Sequence, residues 1–191
     1  MSIKKVLIAG LFSLALVTPA MASGWNNCWG GNCGGGNSQP NCGGNGYTGC
    51  TEAIIEQIGS GNTASVTQDN NNNNYAEIKQ NGFSNVANIQ QLGWSNHNEA
   101  VIKQNGGYNT ADITQHWFAD HNDAFITQNG FGNEATIDQY SDHNYANIVQ
   151  GIGYSVGNTA TITQGMTNGY GYYTANITQY GSYNTATITQ K

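Results

Sequence analysis

Residues 51–190 consist of a seven-residue line in which regular and variable positions alternate. The line reads Asn-x-Ala-x-Ile-x-Gln and occurs twelve times, and every copy keeps the Ala and the Gln. Thr51 and Tyr173 replace Asn in two copies, and Val66 replaces Ile in one. A period of two is typical of a β-strand, so each copy predicts one strand with the four regular residues on one face. The fixed repeat indicates a stacked array.

The variable positions indicate which face of each strand meets water. They are mostly polar and often β-branched, as in Thr63-Ser65-Thr67 and Thr159-Thr161-Thr163, which suits a solvated sheet face. The regular face therefore points inward, and its buried amides must bond to identical amides in neighbouring copies. The predicted stacking ladder comprises Gln57, Gln68, Gln80, Gln91, Gln104, Gln115, Gln128, Gln139, Gln150, Gln164, Gln179, Gln190, Asn62, Asn85, Asn109, Asn133, Asn158 and Asn184. The predicted core ladder comprises Ile55, Ile78, Ile102, Ile126, Ile148 and Ile177.

The spacing of the copies predicts two strands per coil. Counted from Gln to Gln, alternate intervals are 11 residues in five cases of six, whereas the others range from 11 to 15. The regular connections have Gly second, as in Asn105-Gly106-Gly107-Tyr108, where a tight corner needs positive φ. Antiparallel hairpins would leave the inward amides against nothing. Arcs between two facing sheets close a core, so we expect an all-β, parallel two-sheet β-solenoid of six strand-arc-strand coils.

The first fifty residues differ in composition from the array. Residues 1–22 have the features of a cleaved secretory signal: Lys4 and Lys5, an apolar stretch, and a small-residue site at 20–22. Residues 23–50 are rich in Gly and Asn and predict a flexible leader to the array at 51–190. The leader's cysteines lack the paired short spacings of a zinc site, so disulfides of open connectivity are expected. These cysteines are Cys28, Cys33, Cys42 and Cys50.

The net charge and the types of side chain present exclude several classes of function. Without Lys4 and Lys5 the chain has 3 Lys against 11 Asp and Glu, a formal charge of −8, which argues against phosphate-mediated nucleic-acid binding. No apolar run is long enough for membrane insertion. Asp120, His121 and Asp123 cluster without a nucleophile beside them, so we expect no enzyme activity, no cofactor and no metal.

Three histidines recur at one position of the repeat. His97, His121 and His143 each directly precede the Asn of a line, so the coil would stack them along one edge. Solvated turn residues and an acid-sensitive row are both compatible with this placement, because stacked imidazolium charges repel.

The ends of the array carry no evident cap. After the last line, Asn184 to Gln190, only Lys191 follows, and the first line follows Gly-rich chain. Solenoids usually protect their terminal edges with polar caps, charge or Pro. An edge that matches the opposite end of its own chain is a template for head-to-tail growth.

The repeat resembles that of the curlin family, the subunits of bacterial curli fibres. Gln57 to Gln68 carries the pattern of Gln, Gly, Asn, Ala and a second Gln, and four further segments repeat it. The resemblance implies a left-handed coil and a secreted homopolymer that forms extracellular amyloid on the bacterial cell surface and supports biofilm and adhesion. It also implies a minor nucleator subunit, an outer-membrane secretion pore and periplasmic chaperones as partners. The leader cysteines and the sixth coil depart from the family pattern.

Two other functions remain open at the level of sequence. A monomeric secreted solenoid could bind ice or a glycan through Thr rows, for which Thr159-Thr161-Thr163 and Thr185-Thr187-Thr189 are candidates. A minor, fibre-nucleating subunit is the other alternative, although the final repeat is as regular as the rest.

Overall fold

The structure is a computed structural model that describes residues 51–69, 73–93, 96–116, 119–151, 155–165 and 172–191. These residues form twelve β-strands, one for each copy of the repeat. The strands are β1 (Glu52–Ser60), β2 (Thr63–Gln68), β3 (Tyr75–Phe83), β4 (Val86–Gln91), β5 (Glu99–Gly107), β6 (Thr110–Gln115), β7 (Asp123–Phe131), β8 (Glu134–Gln139), β9 (Tyr145–Gln150), β10 (Thr159–Gln164), β11 (Thr174–Gln179) and β12 (Thr185–Gln190).

The strands build two parallel sheets of six strands each. The odd-numbered strands stack in order from β1 to β11 in one sheet, and the even-numbered strands stack from β2 to β12 in the other. Each coil therefore contributes one strand to each sheet, and the chain makes five full turns between β1 and β11. We call the arc from an odd to an even strand the first arc of a coil, and the return the second arc. The expected all-β, two-sheet solenoid of six coils is confirmed; its left-handedness stays a prediction.

Stacking places identical residues on one another. Between β5 and β7, for example, Ala100 aligns with Ala124, Ile102 with Ile126 and Gln104 with Gln128. The other strand pairs keep the same alignment of Ala, Ile or Val, and Gln. A slip by one residue would turn every Ile outward, so the repeat specifies its own register.

The core is a thin apolar layer between the two sheets, formed by Ala and Ile (Val66 in β2). Of the predicted core ladder, Ile78, Ile102, Ile126 and Ile148 are buried, with at most 1% exposure. Ile55 in β1 is only partly buried and Ile177 in β11 retains 5% exposure, because these strands lie at the two ends of their sheet. Each fully buried Ile contributes roughly 1.5–3 kcal/mol.

The strands differ from the seven-residue lines in their bounds. Each begins after the first position of the line, so the ladder Asn lies at the end of an arc. β1, β3, β5 and β7 also continue for three residues beyond Gln, because their glycines remain paired from coil to coil. The signal (1–22), the leader (23–50) and its four cysteines lie outside the described residues. Within the described ranges, no helix is long and apolar enough to span a membrane.

Candidate functional site: amide ladders and open strand edges

Two continuous ladders of glutamine amides run along the solenoid, one in each sheet. Each Gln except the last in each sheet donates a hydrogen bond from Nε2 to Oε1 of the Gln one coil later, and the ten bonds are 2.6–3.2 Å long. All twelve predicted Gln take part. Because the Gln of the central coils are buried, these bonds avoid a cost of about 1–3 kcal/mol for each unsatisfied amide.

Each glutamine after the first also ties the two sheets together. Its second Nε2 hydrogen points to the main-chain carbonyl of the first residue of the preceding strand, which lies in the opposite sheet. Gln104 Nε2, for instance, lies 2.9 Å from the carbonyl oxygen of Val86. Since a carbonyl only accepts, this bond fixes which way round the amide lies.

Asparagines form a second kind of ladder at the arcs. In the first arcs, the main-chain N and Nδ2 of each Asn after Asn62 donate to Oδ1 of the Asn one coil earlier, at 2.9–3.2 Å. These are the predicted residues Asn62, Asn85, Asn109, Asn133, Asn158 and Asn184. A main-chain N–H only donates, so it fixes the orientation of these amides in turn.

The second arcs contain a column that the predicted ladder omitted. Its members are Asn74, Asn98, Asn122 and Asn144, joined by main-chain N to Oδ1 bonds of 2.7–2.9 Å. Tyr173 ends the column and keeps the main-chain bond to Asn144 Oδ1 at 3.3 Å. The same repeat pattern identifies these residues, because the second-arc copies also carry Asn.

A residue with left-handed backbone conformation precedes each ladder asparagine and positions it. All ten ladder Asn follow a residue with φ between 53° and 67°; in some coils this residue is Gly and in others Ser, Asn, His or Tyr. A second column of residues with positive φ consists of glycines, which the sequence predicted only as residues suited to a tight corner. These are Gly59, Gly82, Gly106 and Gly130, with φ between 111° and 133°. A Cβ on any of them would overlap main-chain or side-chain oxygen of the next coil. These glycines set how closely successive coils approach.

The terminal strands leave the core partly open at both ends of the solenoid. Ile55 and Ala64, in β1 and β2, are only partly buried, and so are Ala186 and Ile188 in β12. Each of these strands has a paired neighbour on one side only, within the part of the chain that the structure describes. Such edges present unpaired N–H and C=O groups to a further strand.

The second arcs carry the row of histidines. The rings of His97 and His121 stack with centroids 4.8 Å apart, and those of His121 and His143 at 4.9 Å. The row ends at Tyr172 on one side, 4.9 Å from the His143 ring, and at Asn73 on the other, 3.0 Å from His97 Nε2. The three imidazoles are exposed to solvent.

Acidification is expected to weaken assembly through this row. Histidine gains a proton between about pH 8 and pH 5, and stacked imidazolium groups repel one another. The carboxylate of Asp123 interacts with the charge of His121 and offsets part of that repulsion. A variant with all three His replaced by Asn, which already occupies this position at residue 73 with φ 56°, should lose the dependence. Rates of fibre growth at pH 7.5 and pH 5 measure this pH dependence. Identical pH profiles of the wild-type and substituted proteins would contradict the prediction.

Like charges stack on the outer face of the odd-strand sheet. Glu99 aligns directly with Asp123. Partial burial, followed by the carboxylates of Asp123 and Glu77, raises the pKa of Glu99. Burial likewise raises the pKa of Asp123, although the charge of His121 opposes this. The folded state therefore favours a protonated Glu99, and the ionised pair opposes stacking.

Glu99→Gln is therefore expected to stabilise the solenoid at neutral pH. A carboxyl with a raised folded-state pKa contributes stability below its unfolded pKa and loses it as the pH rises. The gain in free energy of unfolding should stay below about 1 kcal/mol, since the site is partly solvated, and should vanish below about pH 4. Urea titrations at pH 7 and pH 3.5 measure it. Glu134→Gln is the control, because Glu134 aligns with Thr110 and Thr159; an equal gain there would contradict the pair effect.

Asp120, which clusters with His121 in the sequence, forms hydrogen bonds between neighbouring second arcs. Asp120 Oδ1 accepts from the main-chain N of Asn96 at 2.6 Å, and its own N–H donates to Asp142 Oδ1 at 2.9 Å. Within the described ranges, no three His, Cys, Asp or Glu residues come together as potential metal ligands.

The fold and its ladders define the chain as a parallel β-solenoid of stacked, amide-bonded repeats. The family model of the curlin associated repeat matches residues 72–97 and 119–151, which contain β3, β4 and β7 to β9. These two matches support membership of the curlin family, as the sequence resemblance predicted. Curated proteins gave no match to the chain. Curlin repeats on a β-solenoid suggest a structural subunit of the curli type.

Proposed function

We propose that this chain is the structural subunit of an extracellular amyloid fibre of the curli type, which grows head to tail through its open strand edges. The observation that carries the proposal is the chemical match between the two ends. β12 reads Thr-Ala-Thr-Ile-Thr-Gln, and β2 reads Thr-Ala-Ser-Val-Thr-Gln. If the register within the chain continues into a second copy, every residue of β12 meets an identical or closely similar one.

The odd-strand sheet matches at its inward positions. Continuing the register from β11 to β1 of the next copy places Ala175 on Ala53, Ile177 on Ile55 and Gln179 on Gln57. The partly exposed Ile and Ala side chains at both ends would then become buried, and strand spacing would continue at about 4.8 Å through the junction. Main-chain bonding between edges supplies affinity, and the buried pairs supply register.

The proposal extends to the route out of the cell. Residues 1–22 act as the cleaved signal, residues 23–50 form the leader, and residues 51–190 stack. An outer-membrane pore, periplasmic chaperones and a minor nucleator subunit are its partners, and the fibres support biofilm and adhesion on the cell surface. Mass spectrometry of the secreted chain tests the processing, with Ser23 as the expected first residue, and also reads the pairing of the four leader cysteines.

Fibre formation by the purified mature chain tests the function. Aligned fibres should give a meridional reflection near 4.7 Å, and preformed seeds should shorten the lag. Ile188→Lys places a charge on the partly buried inward face of β12 and should prevent growth. Thr187→Lys places the same charge on the outward face of that strand and should leave growth largely intact. A wild-type chain that stays monomeric, or equal growth of both variants, would contradict the proposal.

The ice- or glycan-binding alternative rests on the outward threonines of β10 and β12. Thr159, Thr161 and Thr163 align with Thr185, Thr187 and Thr189, but the row ends at β8, where Glu134 and Asp138 take two of the three positions. A soluble monomer that depresses ice growth would favour this alternative. A chain that seeds a second curlin at trace concentration, yet forms few fibres alone, would favour the minor nucleating subunit.

A further inference from the structure

The two kinds of amide ladder run in opposite directions. All ten Gln–Gln bonds have the donor in the earlier coil and the acceptor in the later one. All the bonds between ladder asparagines have the donor in the later coil and the acceptor in the earlier one. The main-chain groups that each amide also contacts impose these orientations, so a ladder cannot reverse without breaking them.

The ladders therefore end in different chemical groups at the two ends. At the end formed by β11 and β12, the Nε2 groups of Gln179 and Gln190 each bond to one carbonyl, of Thr159 and Thr174, and keep a second N–H. Asn184 donates to the preceding coil and keeps Oδ1 as an acceptor. This end presents two donors and one acceptor from its ladders.

The opposite end, formed by β1 and β2, presents the complementary set. Gln57 and Gln68 donate to the next coil and, among the residues that the structure describes, keep Oε1 as acceptors. Asn62 accepts at Oδ1 from the next coil and keeps its main-chain N–H as a donor. Two acceptors and one donor therefore lie at the positions where a stacked copy would bring two donors and one acceptor.

We propose that these amide termini set the polarity of the fibre, on the basis of the function proposed above. The partner is a second copy of this chain, which docks its β1 and β2 edge on the β11 and β12 edge of the first. Gln179 donates to Gln57, Gln190 donates to Gln68, and Asn62 donates to Asn184 of the earlier copy. Gln57 also gains the sheet-to-sheet bond that the other eleven Gln make, to the carbonyl of Thr185 in the earlier copy.

Pairing of two like ends would leave the same amide groups without hydrogen-bond partners. Two β1 and β2 ends would bring the glutamine acceptors together, and two β11 and β12 ends would bring the glutamine donors together. Main-chain edges alone do not exclude this, because a strand edge carries both N–H and C=O and pairs in either direction. A buried amide without a partner is costly, so the ladders decide between the two arrangements.

A one-ended capping subunit tests the proposal. Gln179→Glu with Gln190→Glu, in the full mature chain, keeps the acceptors that the preceding coil needs. It turns both terminal donors into carboxylates and also removes the bonds to the carbonyls of Thr159 and Thr174. Its intact β1 and β2 edge should still join the β11 and β12 end of a wild-type seed. The carboxylates would then meet the acceptors of the next subunit. Added at about one variant per twenty wild-type chains, it should arrest one end of each seed while the other end grows normally.

Two-colour imaging of single seeds reads growth at each end, and the labelled variant should appear once, at the arrested end. Asn176→Glu with Thr189→Glu adds the same charge on the outward face of the same strands, where the continued register brings Ile54 and Thr67 of the next copy, and should slow neither end more than about twofold. Lowering the pH below about 4 should relieve the arrest relative to wild type at that pH, because a protonated carboxyl donates again. Arrest of both ends or neither, or equal arrest by the control, would overturn the proposal. Absence of wild-type fibres would overturn the proposed function and this inference together.

Discussion

Gly106→Ala is expected to prevent stacking of the central coils. Gly106 has φ +115°, a conformation reserved largely for glycine, and a Cβ there would overlap the carbonyl oxygen of Gly130 in the next coil. The backbone conformation alone costs about 1–3 kcal/mol for another residue. The overlap involves main chain on both sides, so relief requires the two coils to separate, and separation weakens the Gln and Asn bonds that join them. We expect loss of most fibre yield and of cooperative unfolding.

Gly132→Ala is the matched control for this substitution. Gly132 also has positive φ, at +62°, but a Cβ there meets nothing within 4 Å. Its cost should be limited to the left-handed conformation, about 1–2 kcal/mol. Denaturant unfolding and fibre yield distinguish the two variants. Equal behaviour would mean that backbone strain, and not the distance between coils, makes the glycines of the first arcs necessary.

The sequence predicted the features that depend on the period of the repeat. It did not predict the features that depend on the distance between coils. Ala, Ile and Gln recur at a spacing of two, so the strands, their inward face and their register followed from the pattern. The spacing of copies separated a coil from a meander, because alternate intervals are constant. Ile102, Gln104 and Gln128 therefore lie where the repeat predicts an inward face.

Other features of the site depend on atoms in adjacent coils. Asn109 lies outside its strand because Tyr108 before it is left-handed, and a residue pattern does not report φ at a non-glycine position. The steric limit at Gly106 arises from the carbonyl of Gly130, which lies a full coil away in sequence. The direction of the ladders requires knowing that Gln104 Nε2 faces the Val86 carbonyl. Repetition identifies which residues stack, whereas the polarity of stacking comes from these contacts.

Gln104→Met is expected to destabilise the solenoid by about 2–6 kcal/mol, although Met has nearly the same length and shape. Gln104 is 1% exposed. It accepts from Gln80 at 2.8 Å and donates to Gln128 at 2.9 Å and to the Val86 carbonyl at 2.9 Å. The thioether replaces none of these bonds. A donor on Gln80 and an acceptor on Gln128 are then buried without partners, at about 1–3 kcal/mol each.

The size of this loss matters because total stability of a folded domain is about 5–15 kcal/mol. Two controls separate hydrogen bonding from the change of side chain. Lys103→Met alters an exposed outward neighbour and should change the free energy of unfolding by less than about 0.5 kcal/mol. Gln190→Met breaks the ladder at its solvated end, where water can satisfy the freed groups, and should cost less than Gln104→Met. Urea unfolding measures the three values. If the central and terminal substitutions cost the same, satisfaction of buried amides is not what makes each coil depend on its neighbours.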